Sequence, residues 1–92
     1  MQRRFDLIRW TPARVSHIAR CHSVSPEEAD EVLFDENNQL RRGKDGGYLL
    51  YGRTEAGRRL FLVLADEGDG IAGLATARDV TNAERRTYFG GD

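Results

Sequence analysis

The spacing of apolar residues predicts two helices in the first half of the chain. Val15, Ile18 and Ala19 lie three and four residues apart, so they share one face of a helix. Thr11-Pro12 stands just before them and favours a helix start, because Thr caps helices and Pro suits the first turn. We expect this helix to end near residues 21–23.

The second predicted helix begins at the sequence Ser25-Pro-Glu-Glu28. The Ser25 side chain can accept a hydrogen bond from the Glu28 amide, and the Glu28 carboxylate can accept one from the Ser25 amide. Ala29, Val32 and Leu33 then form one apolar stripe, which we expect to be buried. Residues 35–38 are polar and end the helix.

The second half of the chain has the pattern of short strands. Residues 48–54, 59–65 and 71–77 are apolar or aromatic runs between turn residues, which predicts a three-stranded antiparallel meander. The middle run is the most apolar and is therefore placed at the centre. Gly57 suits a hairpin position with positive φ, and residues 5–10 predict a short further strand.

Two more segments complete the pattern. Residues 39–47 are polar and contain three glycines and three basic residues, which predicts a mobile loop. Thr81 and Glu84 have the spacing of a second capping box, so a last helix is expected from there to Gly90-Gly91.

These elements predict an α+β fold: a small antiparallel sheet, with the meander and a short N-terminal strand, and two to three helices on one face. A length of 92 residues fits a single domain over residues 1–92. No apolar run reaches the roughly 18 residues of a membrane span, and the N-terminus has no apolar signal region, so no membrane partner is expected. A single cysteine, Cys21, favours the reducing cytoplasm.

The net charge of −1 hides a strong segregation of charge along the chain. Residues 23–39 contain six acidic and no basic residues, whereas residues 40–60 contain six basic and two acidic ones. A uniformly basic nucleic-acid-binding protein is excluded, but a local basic face is not. Any RNA affinity must then come from a cluster of basic residues: Arg41, Arg42, Lys44, Arg53, Arg58 and Arg59.

Arginines near the strand ends are the main candidates for chemistry. Arg53 and Arg78 end the first and third strands of the meander, which run in the same direction, so both would lie at one rim of the sheet. Two guanidinium groups there could hold a phosphate and stabilise charge that develops on it, and Arg85 on the last helix could join them. The alternative is that these arginines form ordinary surface ion pairs with Glu55, Asp79 or Glu84.

Histidines and tyrosines provide further candidates. His17 and His22 are five residues apart, off the spacing for two ligands on one helix face, so no metal site is predicted. His22 could act as a general acid or base, or interact with the helix dipole. Tyr48, Tyr51 and Tyr88 could donate protons or stack on bases, or they could be core residues.

Several short motifs occur in order across nearly the whole chain. They are Phe5 to Trp10, His22-Ser-Val-Ser-Pro-Glu-Glu-Ala29 with Val32, Gly52-Arg53-Thr54 with Gly57-Arg58, Thr76-Ala77-Arg78, and Glu84-Arg85 with Tyr88. In this set the chain resembles the BrnT-like ribonuclease toxins of type II toxin–antitoxin systems, which have a RelE-like fold.

The resemblance implies an endoribonuclease that cleaves messenger RNA without a metal or other cofactor and inhibits translation. Arg53, Arg78 and Arg85 would stabilise the scissile phosphate while the ribose 2′-hydroxyl attacks it. Lys44, His22 or Tyr88 would move the proton. A cognate antitoxin of the ribbon-helix-helix type would neutralise the toxin. The alternative is a non-catalytic relative that binds an antitoxin-like partner or self-associates.

Overall fold

The computed structural model describes residues 4–43 and 46–90, except for the side chains of residues 21 and 22. Eight elements follow one another in these residues: β1 (Leu7–Arg9), α1 (Pro12–His22), α2 (Pro26–Phe34), β2 (Gln39–Arg42), β3 (Tyr48–Arg53), β4 (Arg59–Asp66), β5 (Ile71–Asp79) and α3 (Asn82–Phe89). Within the described ranges, no helix is long and apolar enough to cross a membrane.

The predicted helix caps are confirmed. The Thr11 side chain accepts a hydrogen bond from the Arg14 amide at the start of α1. Ser25 with Glu28 and Thr81 with Glu84 form complete capping boxes at the starts of α2 and α3. Local side-chain chemistry alone satisfies these amides, which is why the sequence predicts them well.

The sheet has five strands in the order β1-β5-β4-β3-β2. β1 pairs with β5 in parallel, and all other neighbours are antiparallel, so the sheet is mixed. The predicted central position of β4 is confirmed, and Gly57 has φ of 93° in the turn before it. The fold class α+β is confirmed. The predicted antiparallel sheet is wrong for β1, which is parallel to β5, and the predicted number of strands is too low by one.

The missing strand is β2, which occupies part of the predicted mobile loop. Gln39–Arg42 pairs with β3, and Leu40 lies opposite Leu50 and packs half-buried against the core. The loop prediction is therefore wrong for this segment. The polar sequence of this segment did not indicate a strand, because an edge strand needs only one side chain in the core. The charged residues of an edge strand discourage pairing with other chains. Lys44 lies outside the described residues.

α1 and α2 cover one face of the sheet and form the core with it. Ile18 and Val32 are completely buried, and they belong to the same cluster as Leu50, Leu62 and Leu74 from the sheet. The stripe predicted for α2 is confirmed. Among the side chains of α1 that the structure describes, only Ile18 is fully buried: Val15 is half-buried and Ala19 is exposed. One helical turn of α1 therefore carries the contact.

Gly52 permits the close approach of α2 to β3. A Cβ atom at this position would lie 2.9 Å from Cγ1 of Val32 and 3.1 Å from Cβ of Asn38. Distances this short require the helix to move, so the position needs glycine for packing.

α3 lies on the opposite face. Side chains alternate along a strand, so Tyr51 points away from the face that Leu50 shares with α2. Tyr88 of α3 stacks on Tyr51, with ring centroids 3.8 Å apart. The prediction of two to three helices on one face therefore holds for two, and the third creates a separate surface.

Candidate nucleic-acid interface

Three aromatic rings form the centre of the surface beneath α3. Tyr51 and Phe61 are directly opposite on β3 and β4, with ring centroids 4.9 Å apart. Tyr88 stacks on Tyr51 from the other side at an interplanar angle of 13°. Tyr51 is 5% exposed and Phe61 8% exposed, although neither belongs to the main core cluster. We refer to Tyr51, Phe61 and Tyr88, together with the neighbouring Phe89, as the aromatic face.

Arginines lie against these rings. Arg78 is opposite Phe61 across β4 and β5, and its guanidinium carbon is 4.4 Å from the centroid of that ring. The corresponding distance is 5.0 Å for Arg53 above Phe89 and 5.6 Å for Arg41 above Tyr88. A guanidinium group that packs flat on a ring can still donate hydrogen bonds from its N–H groups, which lie in the guanidinium plane. The rings therefore hold these cations in fixed positions.

Arg53 and Arg78 lie at the same end of the sheet. β3 and β5 both run antiparallel to β4, so they end at the same rim, as the sequence predicts. Arg53 is two strands away from Arg78 and two residue pairs further along, which places their Cα atoms about 12 Å apart by standard ladder spacing. Their long side chains can therefore reach groups on one bound ligand.

Arg78 is engaged by a carboxylate. Its NH1 and NH2 atoms donate to Oε1 and Oε2 of Glu84 at 2.8 and 2.9 Å, and NH1 also donates to the Asp79 carbonyl. These hydrogen bonds to Arg78 are the main reason that the pKa of Glu84 is lowered. The ion pair with Glu84 is one of those given as the alternative role for the arginines.

Arg59 stands directly opposite Arg53 in the last residue pair of the β3–β4 hairpin. Both residues occupy the strand positions that point towards the aromatic face. The Nε atom of Arg59 is buried and finds no hydrogen-bond acceptor in the part of the chain that the structure describes. Two cations and a free donor are thus gathered at this corner of the sheet.

Arg58 points to the opposite face and has a different role. Its guanidinium donates to both oxygens of Asp79, to the carboxylate of Glu28 and to the carbonyl of Ser23. The hydrogen bonds to Asp79 are the main cause of its raised pKa. Arg58 therefore ties the start of α2 to the end of β5, away from the aromatic face.

The other candidates are distributed around the molecule. Arg85 is exposed on α3, and Arg42 lies 5.4 Å from the ring of Tyr48 at the sheet edge. His22 is the last residue of α1, which packs on the face opposite the aromatic one; its side chain, like Lys44, lies outside the described residues. The structure thus brings together Arg41, Arg53, Arg59, Arg78 and Tyr88.

The pKa of Tyr51 on the aromatic face is raised. Burial, followed by the neighbouring Tyr88 hydroxyl, raises the pKa of Tyr51 to about 12. Tyr51 therefore keeps its proton at neutral pH and can act only as a hydrogen-bond donor or acceptor. Phe61 and Phe89 were not among the sequence candidates, because they become part of this surface only through the strand register and the docking of α3.

A second concave surface lies beside the end of α2. It has a volume of about 420 Å³ and is lined by Asp30, Glu31, Phe34, Asp35, Asn37, Arg53, Thr54 and Glu55. Phe34 is 46% exposed at this groove. Burial raises the pKa of Asp30, against the effect of a hydrogen bond donated by Trp10 Nε1. The groove is acidic, in contrast to the arginine-rich aromatic face.

No protein-family model and no curated protein matches this chain.

Proposed function

We propose that the chain is the toxin of a type II toxin–antitoxin system, a metal-independent endoribonuclease of the BrnT-like, RelE-like type that cleaves messenger RNA in the cytoplasm and inhibits translation. The observation that carries this proposal is the aromatic face with Arg53, Arg59 and Arg78 around it. The partly exposed rings of Tyr88 and Phe89 suit bases, and the guanidinium groups suit phosphates, so one surface offers both contacts that single-stranded RNA needs.

The proposed reaction is attack by the ribose 2′-hydroxyl on the adjacent phosphorus. A bond forms between O2′ and phosphorus, the bond to O5′ breaks, and the products are a 2′,3′-cyclic phosphate and a 5′-hydroxyl. Negative charge increases on the non-bridging oxygens in the transition state. Arg53 and Arg78 would stabilise this charge through N–H donors that the rings already hold in position, with Arg85 as a further cation.

A base must take the 2′-hydroxyl proton, and an acid must protonate O5′. Tyr88 is the candidate of the proposed set that lies on the aromatic face, and Tyr51 beneath it stays protonated. His22 and Lys44 remain the other candidates for moving the proton.

Controlled expression tests this proposal. Wild-type protein should arrest growth, and co-expression of a neighbouring reading frame with a ribbon-helix-helix pattern should relieve the arrest. Arg78→Ala should abolish the arrest, whereas Arg86→Ala, which removes an exposed arginine from α3, should leave it intact. Equal toxicity of wild type and Arg78→Ala would show that Arg78 takes no part in the mechanism. Wild-type protein that does not arrest growth would refute the proposal that the chain is a toxin.

The acidic groove at Phe34 favours a second candidate, a non-catalytic module that binds an antitoxin-like partner. Four carboxylates and one exposed aromatic ring suit a basic segment with an apolar anchor. A purified chain that binds the neighbouring gene product but leaves RNA intact would support this module over the enzyme.

A further inference from the structure

The outer edge of β2 carries a row of main-chain groups that point away from the sheet. β2 is the last strand in the sheet order, so it pairs with β3 on one side only. The Gly43 amide donates to the Gly47 carbonyl at 2.8 Å, which fixes the alternation of bonded and non-bonded pairs between β2 and β3. In this alternation the N–H and C=O groups of Leu40 and Arg42 face outwards. Within residues 4–43 and 46–90 these four groups have no hydrogen-bond partner.

An arginine lies beside this edge on each face of the sheet. Arg41 lies over the ring of Tyr88 on the aromatic face, and Arg42 lies over the ring of Tyr48 on the other face. Both arginines are exposed. No carboxylate in the described part of the chain forms an ion pair with either of them. A strand added at this edge would therefore meet one unpaired positive charge on each of its faces.

Leu40 adds an apolar contact to the same edge. Its side chain packs half-buried against the core and lies on the same face as Arg42, two residues along the strand. An apolar side chain directly opposite Leu40 on an added strand would cover the part that the core leaves exposed. The edge therefore presents main-chain hydrogen bonds, two positive charges and one apolar position.

We infer that the outer edge of β2 binds an extended acidic segment of another protein, which adds to the sheet as an antiparallel sixth strand. Antiparallel pairing is the more stable arrangement for each residue. The register then defines the segment. Read from its N-terminus, it has an acidic residue opposite Arg42, an acidic residue opposite Arg41 and an apolar residue opposite Leu40. This interaction does not depend on the proposed ribonuclease activity.

Two other occupants fit this edge less well. A second copy that paired through its own β2 would place Arg41 and Arg42 against the same arginines, and like charges directly opposite each other destabilise a strand pair. RNA phosphates offer only hydrogen-bond acceptors, whereas the edge alternates N–H donors with C=O acceptors. The main chain of a peptide has both groups and matches this alternation.

The probe for this edge is a synthetic peptide with the sequence Thr-Val-Thr-Glu-Glu-Val-Thr-Val. In the free protein the amides of Leu40 and Arg42 should exchange with solvent faster than the amide of Arg41, which bonds to β3. A saturating concentration of the peptide should slow exchange at Leu40 and Arg42 by at least about tenfold, because both amides then donate to the peptide. Hydrogen exchange followed by NMR measures these rates.

N-methylated peptides provide matched controls. Methylation of the valine that follows the two glutamates removes an N–H group that would donate to β2, so it should weaken binding by at least about fivefold. Methylation of the second glutamate changes an N–H group that points away from β2, and this peptide should bind nearly as well as the unmodified one. Fluorescence anisotropy of the labelled peptides compares their affinities.

The charge is tested on the protein. Arg42→Gln should weaken binding of the unmodified peptide about twofold to fivefold, the scale of an exposed ion pair. Arg20→Gln, which removes an exposed arginine from α1, should bind the peptide as wild type does. Circular dichroism checks that both variants keep the fold.

Three results would overturn the inference: no saturable binding of the peptide, unchanged exchange of the Leu40 and Arg42 amides in its presence, or equal affinity of the two methylated peptides. A single-stranded RNA oligonucleotide that slows exchange at these two amides when the peptide does not would assign the edge to RNA instead.

Discussion

Arg78 and Glu84 form a two-pronged ion pair in which each guanidinium nitrogen meets its own carboxylate oxygen, at 2.8 and 2.9 Å. Glu84 also accepts the amide hydrogen of Thr81 and so completes the capping box of α3. The Glu84 carboxylate therefore caps the start of α3 and also pairs with Arg78, the cation that is proposed to bind RNA. A phosphate that binds Arg78 through the same two nitrogens has to compete with Glu84.

The first prediction follows from this competition. Glu84→Gln removes the charge but keeps an oxygen for the Thr81 amide, because glutamine also serves in capping boxes. We expect RNA affinity to rise roughly threefold to tenfold, the effect of removing a competing ion pair. Fluorescence anisotropy with a labelled RNA measures it.

The control for this change is Glu36→Gln, which alters the net charge equally at an exposed position after α2. Its RNA affinity should stay close to that of the wild type. A Glu84→Gln protein that folds normally but binds RNA no better than wild type would contradict the competition.

The second prediction concerns acid stability. Glu28 and Glu84 have pKa values lowered from 4.5, for Glu28 mainly by the Ser25 amide and for Glu84 mainly by Arg78. A lowered folded-state pKa means that the stabilisation is present above pH 4.5 and is lost as the pH falls through the folded-state value. The free energy of unfolding should therefore decrease when the pH is lowered below about 4.5. It should decrease less in the double variant Glu28→Gln/Glu84→Gln. Urea unfolding at a series of pH values measures both curves.

Asp30 provides the control of opposite sign. Burial raises its pKa above 3.8, so protonation of Asp30 favours the folded state as the pH falls. Asp30→Asn should therefore make the acid loss steeper. The same slope in all three proteins would contradict the assignment of these carboxylates.

The capping boxes and the strands β3 to β5 were predictable from the sequence, because each depends on residues close together in the chain. β2 was not, since Gln39–Arg42 has only Leu40 as an apolar residue and becomes a strand through its pairing with β3. The side of the sheet that α3 covers was equally hidden. α3 has no fully buried residue, and its position depends on Tyr88 and Glu84 meeting partners on distant strands.

The third prediction tests the packing of α2 on β3. Gly52→Ala should lower the free energy of unfolding by about 1–3 kcal/mol, because the added methyl group would overlap Val32 and Asn38. Gly43→Ala, where the nearest atom is 3.4 Å from the new Cβ, should change it by less than about 0.5 kcal/mol. Thermal or urea unfolding compares the two. A stable Gly52→Ala would mean that α2 does not approach β3 so closely.

The fourth prediction separates two adjacent arginines. Arg58→Gln should lower the free energy of unfolding by about 1–2 kcal/mol, since it removes hydrogen bonds to Asp79, Glu28 and the Ser23 carbonyl. Its RNA affinity should stay near that of the wild type. Arg59→Gln should weaken RNA binding and leave the free energy of unfolding close to that of the wild type. If Arg58→Gln weakens RNA binding as much as Arg59→Gln does, the sequence-based assignment of Arg58 to RNA would be supported instead.

This contrast shows why the candidate site was only partly predictable. The sequence places Arg53, Arg58 and Arg59 in one basic cluster and Arg53 and Arg78 at one rim of the sheet. It does not say which face of the sheet each arginine occupies. Strand alternation, once the register is known, sends Arg58 to α2 and Arg59 to the aromatic face. The sequence does indicate that Arg53 and Arg59 are opposite each other, because the five residues between them are consistent with a hairpin that brings the two face to face.

The most direct test of the central claim is the rate of RNA cleavage by the purified chain in the presence of a metal chelator. Wild-type protein should cleave single-stranded RNA and leave 2′,3′-cyclic phosphate ends, and Arg78→Ala should cleave roughly 10²–10³-fold more slowly, the usual effect of removing one such charge-stabilising donor. Intact RNA after incubation with the wild-type protein, or equal rates for the two proteins, would contradict the proposed ribonuclease.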